Sequence, residues 1–153
     1  MSMDEIRVED YLKELEVPNP KIQLMIASIR KAILVYGSQI DKEHFVFLED
    51  RINKDGERYY DALNIITKSH VVSMIQYKED LTEEYSIVPI ANKILAIQTS
   101  VIEYDFSQNT DSKSRMKIEV RFNGGNSLYL TAVKSNCKHL NFVLQEYLIP
   151  NLE

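Results

Sequence analysis

Three histidines, one cysteine and several adjacent acid pairs are the side chains of this 153-residue chain that could bind metal or catalyse a reaction. His44, His70 and His139 fall on different elements, with no second His or Cys at the spacing of a zinc site, so no metal is expected. His70 is expected at a tight turn and His139 in the first turn of the last helix, both solvated. Cys137 precedes His139 near the start of that helix, where the helix dipole lowers a thiol pKa. Residues two apart on a helix do not face each other, so the two form no nucleophile–base dyad, and Cys137 reads as a half-buried structural cysteine.

The acid pairs Glu49-Asp50, Glu79-Asp80 and Glu83-Glu84 read as solvated charge at strand ends and in loops. General acid–base work needs two carboxyls held apart in a cleft with shifted pKa values, which adjacency does not supply. Gly124-Gly125 is a turn signal and not a phosphate loop, since no helix and no Gly-Lys-Ser/Thr run follows. Nine tyrosines without a tryptophan suit surfaces that are dry at one end and wet at the other. Tyr59, Tyr60, Tyr77, Tyr85, Tyr104 and Tyr129 all fall on strand candidates, and adjacent Tyr59 and Tyr60 must point to opposite faces. The residues singled out for partner contact are Tyr59, Tyr60, Tyr85, Ile87 and Tyr104; no catalytic residue and no cofactor is assigned.

The elements that position these residues follow from hydrophobic period. Val8, Tyr11, Leu12 and Leu15 share one face of a short acidic helix, which Val17-Pro18-Asn19-Pro20 ends. Asn19 is the expected N-cap of a second helix, with Pro20 at its first position, a stripe of Ile22, Met25, Ile26, Ile29, Ile33 and Tyr36, and Gly37 as its C′ glycine. The period then falls from about 3.6 to 2 for almost a hundred residues. Strands are predicted over His44 to Arg51, Arg58 to Ile66, His70 to Tyr77, Tyr85 to Ile90, Lys93 to Phe106, Arg115 to Asn123 and Ser127 to Val133. Short turns at Asn53 to Gly56, Lys68-Ser69, Lys78 to Glu84 and Asn123 to Asn126 make them an antiparallel meander. Pro89 makes the fourth strand an edge or ends it. The loop Ser107 to Ser114 is polar throughout. A closing helix, capped by Ser135 or Asn136, carries Leu140, Val143, Leu144, Tyr147 and Leu148 on one face before Pro150.

Composition sets bounds on class. With 44% hydrophobic and 27% charged residues, the chain is an ordinary globular sequence of one-domain length. The net charge is −5, and residues 4 to 16 supply most of it, with six acids (Asp4, Glu5, Glu9, Asp10, Glu14, Glu16) against Arg7 and Lys13. No Lys/Arg cluster marks a nucleic-acid or anionic-membrane surface, so neither partner is expected. A lone cysteine, the lack of an amino-terminal apolar h-region and the lack of a membrane-length apolar run point to a soluble, cytoplasmic protein. Leu152-Glu153 has the look of a tag scar and is set aside from the fold reading. Residues 1–153 therefore read as a single α+β domain: a helical extension over 1–37 and a sheet-rich body over 43–149.

Two helices, seven meandering strands and a closing helix are the element order of a pleckstrin-homology-like barrel with a helical extension. Tyr59-Tyr60-Asp61-Ala62-Leu63-Asn64-Ile65-Ile66-Thr67-Lys68 into Val71-Val72-Ser73-Met74-Ile75 resembles the second and third strands of bacterial pleckstrin-homology-like domains. Ser86-Ile87-Val88-Pro89-Ile90 before Ile94-Leu95-Ala96-Ile97 resembles the passage between their fourth and fifth. The resemblance implies a seven-stranded barrel plugged by the closing helix, and a non-enzymatic module that docks a protein or peptide. It does not extend to phosphoinositide binding, because in Arg51 to Arg58, the equivalent of the basic hairpin loop, acids offset the bases. The exposed edges of the fourth and fifth strands are the places where a peptide strand could add, unless the amino-terminal helices cover them. A different architecture fits the same elements: a cone-shaped α+β domain with a cavity under the sheet, in which Gln76, Gln98 and Tyr104 would converge on a small molecule.

Overall fold

A computed structural model describes residues 3–40, 42–76, 83–102 and 114–153. Two helices come first, α1 (Met3–Glu14) and α2 (Asn19–Tyr36), followed by seven strands. These are β1 (Phe45–Ile52), β2 (Arg58–Ile66), β3 (His70–Gln76), β4 (Glu83–Pro89), β5 (Ile94–Ile102), β6 (Arg115–Phe122) and β7 (Ser127–Val133). The chain closes with α3 (Asn136–Val143), which runs on into a π-helical turn (Leu144–Leu148) and a 3-10 turn (Ile149–Asn151). The predicted elements are all present, with ends shifted by a few residues. Most of the turn predicted over Lys78 to Glu84 and of the loop Ser107 to Ser114 lies outside the described residues, as do Glu79-Asp80, Tyr77 and Tyr104; Glu83-Glu84 opens β4 instead of ending a loop, and Glu83 is bonded to Ser28 and Lys31.

The strands form two antiparallel sheets, ordered β1-β2-β3-β4 and β5-β6-β7, with every neighbour adjacent in sequence. No ladder joins the sheets among the described residues, so the closed barrel expected from the element order is instead a pair of separately hydrogen-bonded sheets. Between them lies one core, in which Phe47, Ile66 and Val71 of the first sheet meet Ile118, Val120 and Leu130 of the second, and Leu140, Val143 and Leu148 of the closing helix seal it.

The first sheet is apolar on its other face as well. Val46, Leu48, Leu63, Ile65, Val72 and Met74 turn away from the second sheet and pack under Leu12, Leu15, Ile22, Ile26 and Ile29 of the two amino-terminal helices. Alternation along β2 therefore gives way to the continuous burial of Leu63 to Ile66 that a doubly covered sheet requires. Leu12 and Leu15 are fully buried, each contributing about 1.5–3 kcal/mol relative to exposure. The helical extension is thus a layer of the fold and not a projecting arm. Its acids are matched within the layer by Arg30 to Glu5 at 2.6 Å, and across to the sheet body by Lys138 to Glu14 at 3.1 Å and Arg58 to Glu16 at 3.9 Å.

Three local expectations are corrected. Pro18, not Asn19, occupies the N-cap of α2, so Asn19 is the first helical residue and no side chain caps the helix. Gly37 is right-handed (φ −52°, ψ −35°) and not a left-handed C′ residue. Glycine is required there because a Cβ would sit 2.6 Å from the Ile33 carbonyl oxygen. Of the two residues offered as the cap of α3, Ser135 holds the N-cap position without a side-chain bond, while Asn136 is the first helical residue, fully buried, with its amide turned toward β1. The hairpin turns behave as their composition dictates, with the Asn53 side chain accepting the Asp55 and Glu57 amides at 3.0 and 2.8 Å, and Gly56 and Gly125 at positive φ. Leu152 and Glu153, set aside in the sequence, join the fold: Leu152 bridges in parallel to Ile94, and the Glu153 amide donates to the Ile94 carbonyl at 3.0 Å.

Candidate functional site

Of the tyrosines and the isoleucine singled out for partner contact, the structure leaves one at the surface. Tyr59 is 41% exposed beside the first hairpin, with the Arg51 guanidinium over its ring and the Asn53 amide donating to its hydroxyl. Tyr60, its neighbour on the opposite face, packs beneath the amino-terminal helices and donates to the Leu15 carbonyl at 2.6 Å. Tyr85 and Ile87 join the same layer, where the Tyr85 hydroxyl bonds the Glu83 carboxylate and is pushed up to about 12 by burial and by that acid. Tyr104 lies outside the described residues. Of the residues the cone-shaped alternative would bring together, Gln98 is exposed on β5.

Glu49 and Asp50, read from the sequence as solvated, are the most constrained acids in the protein. A bulge in β1 between Leu48 and Asp50 breaks the register with β2, and the Asp50 carboxylate turns toward β7 and α3 while Glu49 borders the space under α2. The Asn64 side chain and the Thr131 amide lie near Glu49 and favour its charged form. Asp50, with no solvent exposure, accepts the Val133 amide at 2.9 Å, the Asn136 amide at 2.9 Å, and Arg58 through Nε at 2.9 Å and Nη2 at 2.6 Å. Asp50 therefore does at the β1–β7 corner what a backbone ladder would do elsewhere. Burial pushes the Asp50 carboxyl above its ordinary value against the pull of those donors. Burial, reinforced by repulsion from Asp61, pushes Glu49 up to about 7.

The network extends into both terminal helices. Tyr11 of α1 donates to Asn136 Oδ1 at 2.8 Å and accepts the Leu48 amide at 3.0 Å, while Asn136 Nδ2 also donates to the Leu48 carbonyl at 2.8 Å. No buried side-chain nitrogen or oxygen lacks a partner among the described residues. A set so completely satisfied ties the two sheets and the terminal helices together.

His139 is half-buried and not fully solvated. Its ring stacks edge-on against Tyr11 with centroids 4.7 Å apart and faces Glu14 at 3.3 Å, and burial holds its pKa below the ordinary histidine value. Cys137 is fully buried, its thiol against the Ala132 carbonyl at 3.5 Å. Among the described residues no group of three His, Cys, Asp or Glu side chains could hold a metal ion, and no helix is long and apolar enough to cross a membrane.

What the described surface does offer is a strand edge. β5 hydrogen-bonds to β6 alone among the strands, and past Ile94 its residues are exposed apart from half-buried Ile97. Leu95, Val101 and Ile102 are 59%, 43% and 57% exposed. The amino-terminal helices lie on the face of the first sheet and leave this edge uncovered. β4, the other edge the sequence nominated, pairs only with β3 and ends at Pro89.

Three cavities open elsewhere. One of about 420 Å³ lies between α1 and α2, and a second of about 310 Å³ between α1, the start of β1 and His139. The third, of about 690 Å³, lies between α2 and the first sheet. Compared with known proteins, the chain matches no family model, no curated protein and no solved structure.

Proposed function

We propose that this protein is a non-enzymatic binding module of the pleckstrin-homology-like type, whose two sheets act as one barrel stitched at the β1–β7 corner by Asp50. Its partner is a protein segment that adds as a strand to β5. The observation that carries this reading is the state of the β5 edge. Its first residue already accepts a backbone hydrogen bond from the chain's own Glu153, in a parallel bridge with Leu152, while the rest of the strand has no second neighbour among the described residues. Main-chain bonds of that kind supply affinity, and Leu95, Val101 and Ile102 supply the apolar contacts that give preference. An edge so apolar is otherwise an aggregation hazard, and β5 carries no Pro, Lys or Glu to blunt it.

The test is selection from a random-peptide library against the whole chain, followed by mapping the selected peptides on the amide spectrum. Peptides that perturb the β5 amides and lose binding in Val101→Glu and Ile102→Glu variants support the reading. Peptides that map elsewhere, or a selection that enriches nothing, overturn it.

A further inference from the structure

β2 and β3 are paired only from Leu63↔Met74 to Ile66↔Val71. Beyond Leu63, β2 continues beside β1 alone, and beyond Met74, β3 continues beside β4 alone. The two strands part at that point, α2 passes over the gap, and the cavity of about 690 Å³ opens there. Its volume lies within the range of roughly 300–1,000 Å³ typical of small-molecule sites.

The lining divides by chemistry. Leu24 and Met25 of α2, Leu63 of β2, and Met74 and Ile75 of β3 make an apolar channel, and the two methionines are side chains that reshape around a guest. Among the described residues three acids, Glu49, Asp61 and Glu83, also line it, against a single base, Lys21. Two of the acids are already engaged by bases outside the cavity: Asp61 by Arg51 at 3.0 Å, and Glu83 by Lys31 at 3.5 Å together with the Ser28 hydroxyl at 2.9 Å. Glu49 differs. The Thr131 amide and the Asn64 side chain lie near it, and it has no ion pair among the described residues. A carboxylate can accept about four hydrogen bonds, which leaves Glu49 capacity on the cavity side.

We infer that this cavity binds a small aliphatic amine, with the alkyl chain between α2 and the parted strands and the ammonium group on the Glu49 carboxylate. An alkylammonium fits both halves of the lining at once: its methylenes replace water against Leu24, Met25, Leu63 and Met74, and its charge meets the one acid there without a cation. An anionic ligand would face three carboxylates, and a neutral one would draw nothing from the charged form of Glu49. The site is separate from the β5 edge and stands or falls independently of it.

Protonation gives the binding a signature. An acid held near pH 7 by burial is half protonated at neutral pH, and a bound cation must displace that proton. The charged groups felt by Glu49 are Asp61 on β2 and Asp50 beside it on β1; Lys21 of α2, Glu83 of β4 and Tyr60 line the same cavity, and the Thr131 amide of β7 lies near. Affinity for an alkylammonium ion, which stays charged throughout, should therefore rise about tenfold between pH 6 and pH 8.

The experiment is a titration of the whole protein, methyl-labelled at methionine, with hexylamine hydrochloride, 1-hexanol and sodium hexanoate at pH 6 and pH 8. Saturable shifts of the Met25 and Met74 methyls by the amine alone, tighter at the higher pH, are expected. Glu49→Gln should weaken the amine at least tenfold and abolish the pH dependence. If that variant does not fold, the pH pair on the unaltered protein decides. No saturable shift with the amine, equal shifts with hexanol or hexanoate, or an affinity indifferent to pH would each overturn the assignment. So would binding of a blocked lysine tripeptide where hexylamine does not bind, because the occupant would then be a protein side chain.

Discussion

The Tyr11 hydroxyl joins residues that stand 125 apart in sequence: it donates to Asn136 Oδ1 at 2.8 Å while accepting the Leu48 amide at 3.0 Å. One oxygen thereby holds α1, β1 and α3 together. Replacing it by hydrogen leaves a buried amide and a buried carbonyl oxygen without a partner, so Tyr11→Phe should cost about 1–3 kcal/mol in urea unfolding. Asn136→Ala should cost more, because the Leu48 carbonyl and Asp50 lose a donor as well. A double-mutant cycle should return a coupling of about 0.5–3 kcal/mol, and strict additivity would show that the two side chains act separately.

Asp50 and Arg58 form a buried pair with side chains 0% and 8% exposed. Asp50→Ala strands the guanidinium and also frees the Val133 amide, so a loss of about 3–5 kcal/mol is expected by chemical denaturation. A loss under 1 kcal/mol would mean that the β1–β7 corner does not depend on this carboxylate.

Glu49 makes stability depend on pH in an unusual direction. Its folded pKa of about 7 stands above the ordinary 4.5, so between those values the folded chain holds a proton that the unfolded chain has released. Stability on account of this group is greatest below pH 4.5, falls as pH rises through 4.5 to 7, and is level above. Glu49→Gln should remove that slope, leaving the variant better placed relative to the parent at pH 8 than at pH 5 by about 1–3 kcal/mol. Melting curves at the two pH values check it; parallel shifts would refute it.

His139 should titrate below the ordinary 6.5, because burial disfavours its charged form and Glu14 only partly offsets that. Its contribution is therefore full above pH 6.5 and lost as pH falls toward the folded value. Ring-proton NMR gives the midpoint directly. Glu14→Gln should lower it further, and an upward movement would mean that the carboxylate is not felt.

Deleting residues 1–37 should prevent folding. Val46, Leu48, Leu63, Ile65, Val72 and Met74 would form one exposed apolar face, a size of patch that monomeric domains avoid. A soluble, cooperatively melting fragment would show that the helical layer is dispensable.

Much of this architecture was legible in the sequence because it is written in period. The switch from 3.6 to 2 after Gly37 and the alternation of Met116, Ile118, Val120 and Phe122 place the helices and strands nearly where they lie. What the sequence hid is what depends on a second layer or a distant partner. Leu63-Asn64-Ile65-Ile66 still alternates at Asn64, so its continuous burial shows only once the helices are seen to cover the sheet. Asn136 sits where a cap is expected, and only the fold reveals that its amide serves β1. Glu49 and Asp50 look like loop acids until the bulge turns them inward, and no local pattern announces a bulge. Tyr60, Tyr85 and Ile87 were chosen as amphipathic surface residues, yet the extension they face was the thing whose placement could not be read. The 690 Å³ cavity depends on where two strands part, which neither strand's sequence encodes alone.

The covered face of the first sheet also bears on how the chain matures. Helices α1 and α2 leave the ribosome before any strand exists to receive them, and the Tyr11 hydroxyl waits until residue 136 has been made before its bond can close. Neither half can be finished alone, since the early half supplies a lid without a floor and the later half a floor without a lid. The face under α1 and α2 can close once β4 has been made, but the other apolar face of the first sheet stays open until β5 to β7 and α3 follow.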